Sequence, residues 1–190
     1  ELIWNQTTHE FSKNWQCTTT FAEEGKKKEV ISYYDGSLRN RQSVTRVNTD
    51  NNIIVGETIY DHQGRPAINV LPVPVDQPNC PGAEAQGFKY YPNFNQNLAG
   101  EGYSRIDFDL KGDPCETTTA NMSSSTSGAA HYYSPDNPNQ DGHQAFIPDA
   151  KGVAFTQVEY TPDNTGRIRR QSGVGETFKL DSDHETRYYY

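Results

Sequence analysis

Between residues 15 and 75, β-branched and aromatic residues recur in five short runs, 15–21, 29–34, 43–47, 53–60 and 67–75, each bounded by turn-forming residues. The breakers are Gly25-Lys26-Lys27-Lys28, Asp35-Gly36-Ser37, Asn48-Thr49-Asp50-Asn51-Asn52 and His62-Gln63-Gly64. Gly and Asn tolerate positive φ there, while Asp and Ser hydrogen-bond their own backbone. A spacing of about a dozen residues predicts an antiparallel meander. Leu71-Pro72-Val73-Pro74-Val75 cannot donate a full ladder of hydrogen bonds, so it predicts an edge strand or an extended exit, with a boundary after it.

Residues 76–102 are rich in Pro, Gly, Asn and Gln and read as a long connection anchored by Tyr90, Tyr91 and Phe94. Strict alternation over 103–110 predicts one half-buried strand, with Ile106, Phe108 and Leu110 on the apolar face and Asp107 and Asp109 on the solvated one. Residues 111–145, with Thr117-Thr118-Thr119 and the serine-rich run after Met122, read as the least structured part. The β pattern returns in 155–160, 167–172, 176–180 and 186–190, and no segment predicts a helix. The expected organisation is a lead-in over 1–14, a meander over 15–75, a loop-rich connection over 76–145, and hairpins over 146–190 that continue beyond the chain end. The fold class is all-β, an antiparallel meander of hairpins with long irregular loops.

Composition sharpens this picture. Of 190 residues only 33% are hydrophobic, and 12 Tyr and 8 Phe carry much of that share, so the core is thin and built from rings that favour sheet. The net charge of -8 argues against nucleic-acid binding. No run is long enough to predict membrane insertion. The opening Glu1-Leu2-Ile3-Trp4 and the closing Tyr188-Tyr189-Tyr190 read as cuts through a longer polypeptide. Cys17, Cys80 and Cys115 have no metal-type spacing; Cys80 and Cys115 are the preferred disulfide pair in an exported protein, and Cys17 is expected as a small buried residue.

The candidate chemistry is sparse, and the chain is expected to be neither an enzyme nor a cofactor protein. His62 lies in a turn and is expected to be exposed, and His184 and Glu185 are strand neighbours that point to opposite faces. Asn137, Asn139 and Asp141 fall at alternate positions ahead of Gly142, like the start of a calcium loop, but Pro148 stands where the bidentate Glu belongs, so a plain turn is preferred. Asp181 and Asp183 are an equally weak cation candidate. Tyr90, Tyr91, Tyr132 and Tyr133, with Trp4, Trp15 and Phe94, could stack sugars, although rings on a thin sheet more often form its core.

The most specific signal is internal repetition. Tyr34-Asp35-Gly36-Ser37-Leu38-Arg39, Tyr60-Asp61-His62-Gln63-Gly64-Arg65 and Tyr160 followed by Asp163-Asn164-Thr165-Gly166-Arg167 share an Asp-x-x-Gly-Arg kernel, with Leu38 replacing Gly in the first copy. Such a unit is a hairpin corner: Asp accepts from turn N–H groups, Gly takes the left-handed position, and Arg opens the return strand against a ring or carboxylate. The missing glycine predicts a different turn type in the first copy.

These units resemble the YD repeats of Rhs and teneurin-like proteins. Tyr132-Tyr133-Ser134-Pro135, the stretch 144–150, Phe155 to Tyr160 and His184 to Tyr190 resemble the N-terminal flank of such repeats in large secreted Bacteroidetes-type proteins. The family pattern has a glycine-rich turn where this chain has Asp181-Ser182-Asp183, which suggests a reshaped or cation-binding turn. The resemblance implies the start of a β-shell at the cell surface or outside the cell: a structural, capping segment partnered by downstream repeats, a C-terminal payload or secretion machinery. A carbohydrate- or surface-binding β-module is the alternative.

Overall fold

The computed structural model describes residues 10–23, 25–47, 52–75, 89–109 and 119–190. Among them are nine strands, and every paired neighbour is antiparallel: β1 Asn14–Ala22, β2 Gly25–Tyr34, β3 Asn40–Val47, β4 Asn52–Tyr60, β5 Pro66–Val70, β6 Val73–Pro74, β7 Phe155–Tyr160, β8 Ile168–Gln171 and β9 Thr186–Arg187. The all-β hairpin meander expected from the sequence is present. Two compact units divide the described residues, the first holding the chain through Glu57 and residues 72–91, the second holding 58–71 and 92–190.

In the first unit β1 to β4 form successive hairpins, and β6 closes on β4 through Ile54↔Pro74 and Val55↔Val73. Alternation puts Ile31 and Tyr33 of β2, Gln42 and Val44 of β3, and Ile53 and Val55 of β4 inside. Gln42 is a buried polar exception, and it is satisfied. Its Nε2 donates to Tyr91 O at 3.0 Å and Glu57 Oε1 at 2.6 Å, and its Oε1 accepts from Tyr91 N at 2.8 Å. Strand β1 buries nothing. Cys17, expected inside, is exposed because β1 is an edge strand, paired with β2 alone among the described strands, and only its Trp15 and Thr19 are as much as half-buried. Lys27 and Lys28 lie in β2 rather than in the preceding turn, since the β1–β2 connection closes at Ala22↔Gly25. Cys80, Cys115 and Trp4 lie outside the described residues.

In the second unit the order is β4, β5, β7, β8, β9. Several expectations fail here for identifiable reasons. Residues 103–109 are not a strand, and Leu110 lies outside the described residues: Arg105–Asp107 is a 3-10 turn, because Ser104 and Asp107 form a reciprocal capping box with Ser104 N on Asp107 Oδ2 at 2.7 Å. The serine-rich segment is also folded, and it includes a short α-helix, α1, Gly128–Tyr132. Ala129 N donates to Asn95 Oδ1 at 2.8 Å and Ser127 Oγ to Phe94 O at 3.0 Å, so its polar groups are absorbed locally while Ala129, Ala130 and Met122 are buried. Gly128 has φ +82°, and a Cβ there would overlap Phe94 O. Residues 176–180 form a turn, closed by Gly173 N on Phe178 O at 2.9 Å, instead of a strand.

Candidate functional site

The three repeated corners are the natural candidates, and two of them are superimposable in their bonding. Asp35 N donates to Arg39 O at 3.0 Å and Asp61 N to Arg65 O at 3.0 Å. Asp35 Oδ1 accepts from Ser37 N and Arg39 N at 2.9 and 3.1 Å; Asp61 Oδ1 accepts from Gln63 N and Arg65 N, both at 2.9 Å. Each carboxylate's Oδ2 takes the Nε of its own Arg, at 3.0 Å for Arg39 and 2.7 Å for Arg65. Leu38 occupies the glycine's place at φ 60°, beside Gly64 at φ 79°. The expected change of turn type at the first corner does not occur, because Asp35 and the Arg39 ladder bond fix the backbone whichever residue stands fourth.

The third corner departs instead. Thr161 N closes on Arg167 O at 2.8 Å, making the loop longer, and Asp163 binds Thr165 N at 3.1 Å and Thr165 Oγ1 at 2.7 Å, while Arg167 leaves it. Asn164 and Gly166 carry the positive φ values, 60° and 72°. Hydrogen bonds from Thr161 and Thr165 hold the Asp163 carboxyl down at about 2. For Asp35, desolvation would raise the value, but the Arg39 and Ser37 N–H groups outweigh it and hold it at about 2. All three hairpins share a register shift just before the tyrosine, which pairs as Tyr34↔Asn40, Tyr60↔Pro66 and Tyr160↔Ile168.

Beyond the corners a second regularity appears: the ring expected against the corner arginine is present, and it belongs to a tyrosine that sequence inspection did not identify. The Arg65 guanidinium carbon lies 4.2 Å from the Tyr160 ring centroid, and Tyr160 Oη donates to Pro66 O at 2.9 Å. The Arg167 guanidinium lies 5.1 Å from the Tyr190 ring centroid, and Tyr190 Oη donates to Ile168 O at 3.2 Å. In both cases a tyrosine covers the corner arginine and bonds the carbonyl of the residue after it; Tyr160 ends β7, whereas Tyr190 lies three residues past the end of β9, which is only Thr186–Arg187 of the expected 186–190 strand. The ring face gives Arg65 the electrostatic partner that its buried Nη1 lacks among hydrogen-bond acceptors. Burial raises the Tyr160 hydroxyl's pKa.

A cleft of about 740 Å³ opens in the second unit beside these groups. Its walls include the Asp61–Arg65 pair, Tyr160, and an ion-pair web in which Arg170 reaches both Glu159 and Asp181. His62 and Asp109 also line it. His62 N donates to Asp109 Oδ2 at 2.6 Å, and its Nδ1 lies 3.1 Å from the same oxygen, so Nδ1 carries the ring proton, since a carboxylate only accepts. His62 is exposed in its turn, as expected, but is held there by Asp109, which is half-buried and not a solvated strand residue. Asp107 is equally engaged, by Ser104 N and by Asn97 Nδ2 at 3.1 Å. Among the described residues no hydroxyl or thiol is hydrogen-bonded to His62, so the dyad presents no nucleophile. Thr119, which also lines the cleft, donates its Oγ1–H to Gln157 Oε1 at 2.7 Å.

The weaker candidates are scattered. Asn137 is buried; its Nδ2 donates to Tyr132 O and its Oδ1 accepts Asn139 N, both at 2.9 Å, so that oxygen closes a turn. Asp141 stands at the N-cap position of the 3-10 turn Gly142–Phe146 without a side-chain capping hydrogen bond. Asp181 is bound by Arg170 and Asp183 by Arg187, and those guanidinium groups occupy the carboxylates that the cation reading requires. His184 packs on Phe178, while Glu185 turns to Arg187, so the two act apart. Tyr91 is buried and Tyr90 lies edge-on to Tyr33 at 5.3 Å in the first unit. Tyr132 and Tyr133 form their own edge-on pair at 5.0 Å in the second.

Residues 7–112 match the family model described as Domain of unknown function (DUF6443), which takes in more than half of the chain. The chain belongs to the DUF6443 family. The DUF6443 match spans the first two corners and ends short of the third. No curated protein and no solved structure matches the chain. Among the described residues of this DUF6443 protein, no helix is long and apolar enough to cross a membrane, and no group of three or more His, Cys, Asp or Glu could hold a metal ion.

Proposed function

We propose that this DUF6443 chain is a non-enzymatic structural segment of an exported or surface-located YD-repeat polypeptide, in which hairpins add one to the next and the first unit begins the array. The observation that carries this reading is the duplicated contact of corner arginine, following carbonyl and a tyrosine from the next stretch of chain at Arg65/Pro66/Tyr160 and Arg167/Ile168/Tyr190. A stacked array needs a joint that works identically wherever it falls, and one charged plane, one carbonyl and one ring supply it. The beginning of the array is supported by β1, which enters without such a corner: Asn14, not an arginine, stands opposite Tyr34. The cleft's charged groups are bound to one another, which suits walls better than a substrate site.

The reading is tested by Tyr160→Ala. A joint predicts that amide exchange accelerates in both β5 and β7 while the first unit is untouched. Unchanged exchange in β5 would remove the support. A carbohydrate-binding module is the second reading, and a glycan array would favour it if a sugar signal disappeared on Tyr132→Ala or Tyr90→Ala.

A further inference from the structure

An aspartate followed by glycine is the backbone step most open to attack on itself. The glycine nitrogen, with no side chain beside it, can reach the carboxyl carbon of the preceding residue and close a cyclic imide. The chain has two such steps, Asp35-Gly36 and Asp141-Gly142. The fold treats them oppositely.

Asp35 is the aspartate of the first corner. Its Oδ1 accepts from Ser37 N, Ser37 Oγ and Arg39 N, and its Oδ2 accepts from Arg39 Nε. The carboxyl carbon cannot swing to Gly36 N without breaking these bonds. Desolvation opposes them, yet the Arg39 and Ser37 groups hold Asp35 at about 2, so its neutral, reactive acid is roughly sixtyfold scarcer than in an ordinary aspartate.

Asp141 and Gly142 are both exposed. Asp141 precedes the 3-10 turn Gly142–Phe146 with no side-chain capping bond, and among the described residues neither its carboxyl nor the Gly142 N–H has a hydrogen-bond partner. A free N–H is normal at the first position of such a turn. Ring closure requires rotation about Asp141 ψ, which stands at 147°, and one bond at this residue opposes it, Gln144 N to Asp141 O at 3.2 Å. Gly142 has φ +61° and open space where a Cβ would stand, so the backbone turns there without a clash.

From this we infer that Asp141-Gly142 is a self-modifying site, at which the folded chain converts aspartate to isoaspartate through the cyclic imide while Asp35-Gly36 is spared. The Gly142 nitrogen bonds Asp141 Cγ and gives up its proton, and the carboxyl hydroxyl leaves with that proton as water. A second water opens the ring at either carbonyl, so nothing is oxidised or reduced and the mass is restored. Opening at the main-chain carbonyl leaves Gly142 joined through the former side chain. The main chain is then one carbon longer, and the oxygen that Gln144 N bonds sits on a free carboxylate off the backbone. The turn that carries Phe146, 84% exposed, loses its first main-chain acceptor. This site is independent of the repeat reading.

The experiment holds the 190-residue chain at neutral pH in buffer and in concentrated urea. Isoaspartate at each step is read by electron-transfer fragmentation of the peptides, which separates the two isomers. In buffer the product accumulates at Asp141 at least about tenfold faster than at Asp35, preceded by a species one water lighter. In urea, where Asp35 loses its turn bonds, the two rates converge. Equal rates in buffer, no product at Asp141, or a preference for Asp141 that persists in urea would overturn the inference.

Discussion

Leu38 and Gly64 hold the same position in the same corner, and exchanging their chemistry isolates what the left-handed residue costs. Leu38 sits at φ 60° with 77% of its surface exposed, so its side chain contributes little burial to offset the strain. A non-glycine residue in the left-handed region loses roughly 1–2 kcal/mol. Glycine returns about 0.5–1 kcal/mol of that as extra freedom in the unfolded chain. Leu38→Gly is therefore expected to stabilise the first unit by about 0.5–1 kcal/mol, and Gly64→Leu to destabilise the second by a similar amount. Urea denaturation reports both as shifts of midpoint at constant slope. Leu38→Gly lowering the midpoint would refute the equivalence of the two turns, because it would mean that the leucine side chain holds the corner in a way Gly64 does not need.

Three further outcomes follow from the geometry. Asp35 is held at about 2, below the roughly 3.9 of an unfolded aspartate, so its contribution is complete above about pH 4 and is lost as pH falls toward 2. Asp35→Asn should thus lie closer to the parent in stability at pH 2 than at pH 6, as chemical denaturation at the two values would record. Gln42→Leu strips the buried Tyr91 N–H of its side-chain acceptor and should cost on the order of 2 kcal/mol in denaturant unfolding. Gly128→Ala combines left-handed strain with an overlap against Phe94 O, and a loss on the order of 3 kcal/mol is expected in thermal unfolding.

The corners were legible because their bonds are local: Asp35 and Asp61 reach no more than four residues along the chain. The meander was legible for the same reason, since turn chemistry and alternation are short-range. Residues 103–110 misled because the alternation of Ser104, Asp107 and their neighbours serves a capped 3-10 turn, a use of polar spacing that a period of two imitates. The serine-rich segment misled because its groups are satisfied by Phe94 and Asn95, more than thirty residues away. No periodicity announces that Asp109 meets His62 across 47 residues or that Tyr160 meets Pro66 across 94. Those pairings exist only once the ladders have formed, and the joint that supports the functional reading is made of them.

That joint is tested most directly by two double-mutant cycles, Arg65→Ala with Tyr160→Phe or Tyr160→Ala, and Arg167→Ala with the same two changes at Tyr190. Each cycle should give a favourable coupling of roughly 0.5–2 kcal/mol, carried mainly by the ring and lost only in part with the hydroxyl. The Tyr190 value should be the smaller, because its ring is farther from the arginine and 73% exposed. Coupling near zero at Arg65–Tyr160 would contradict the account.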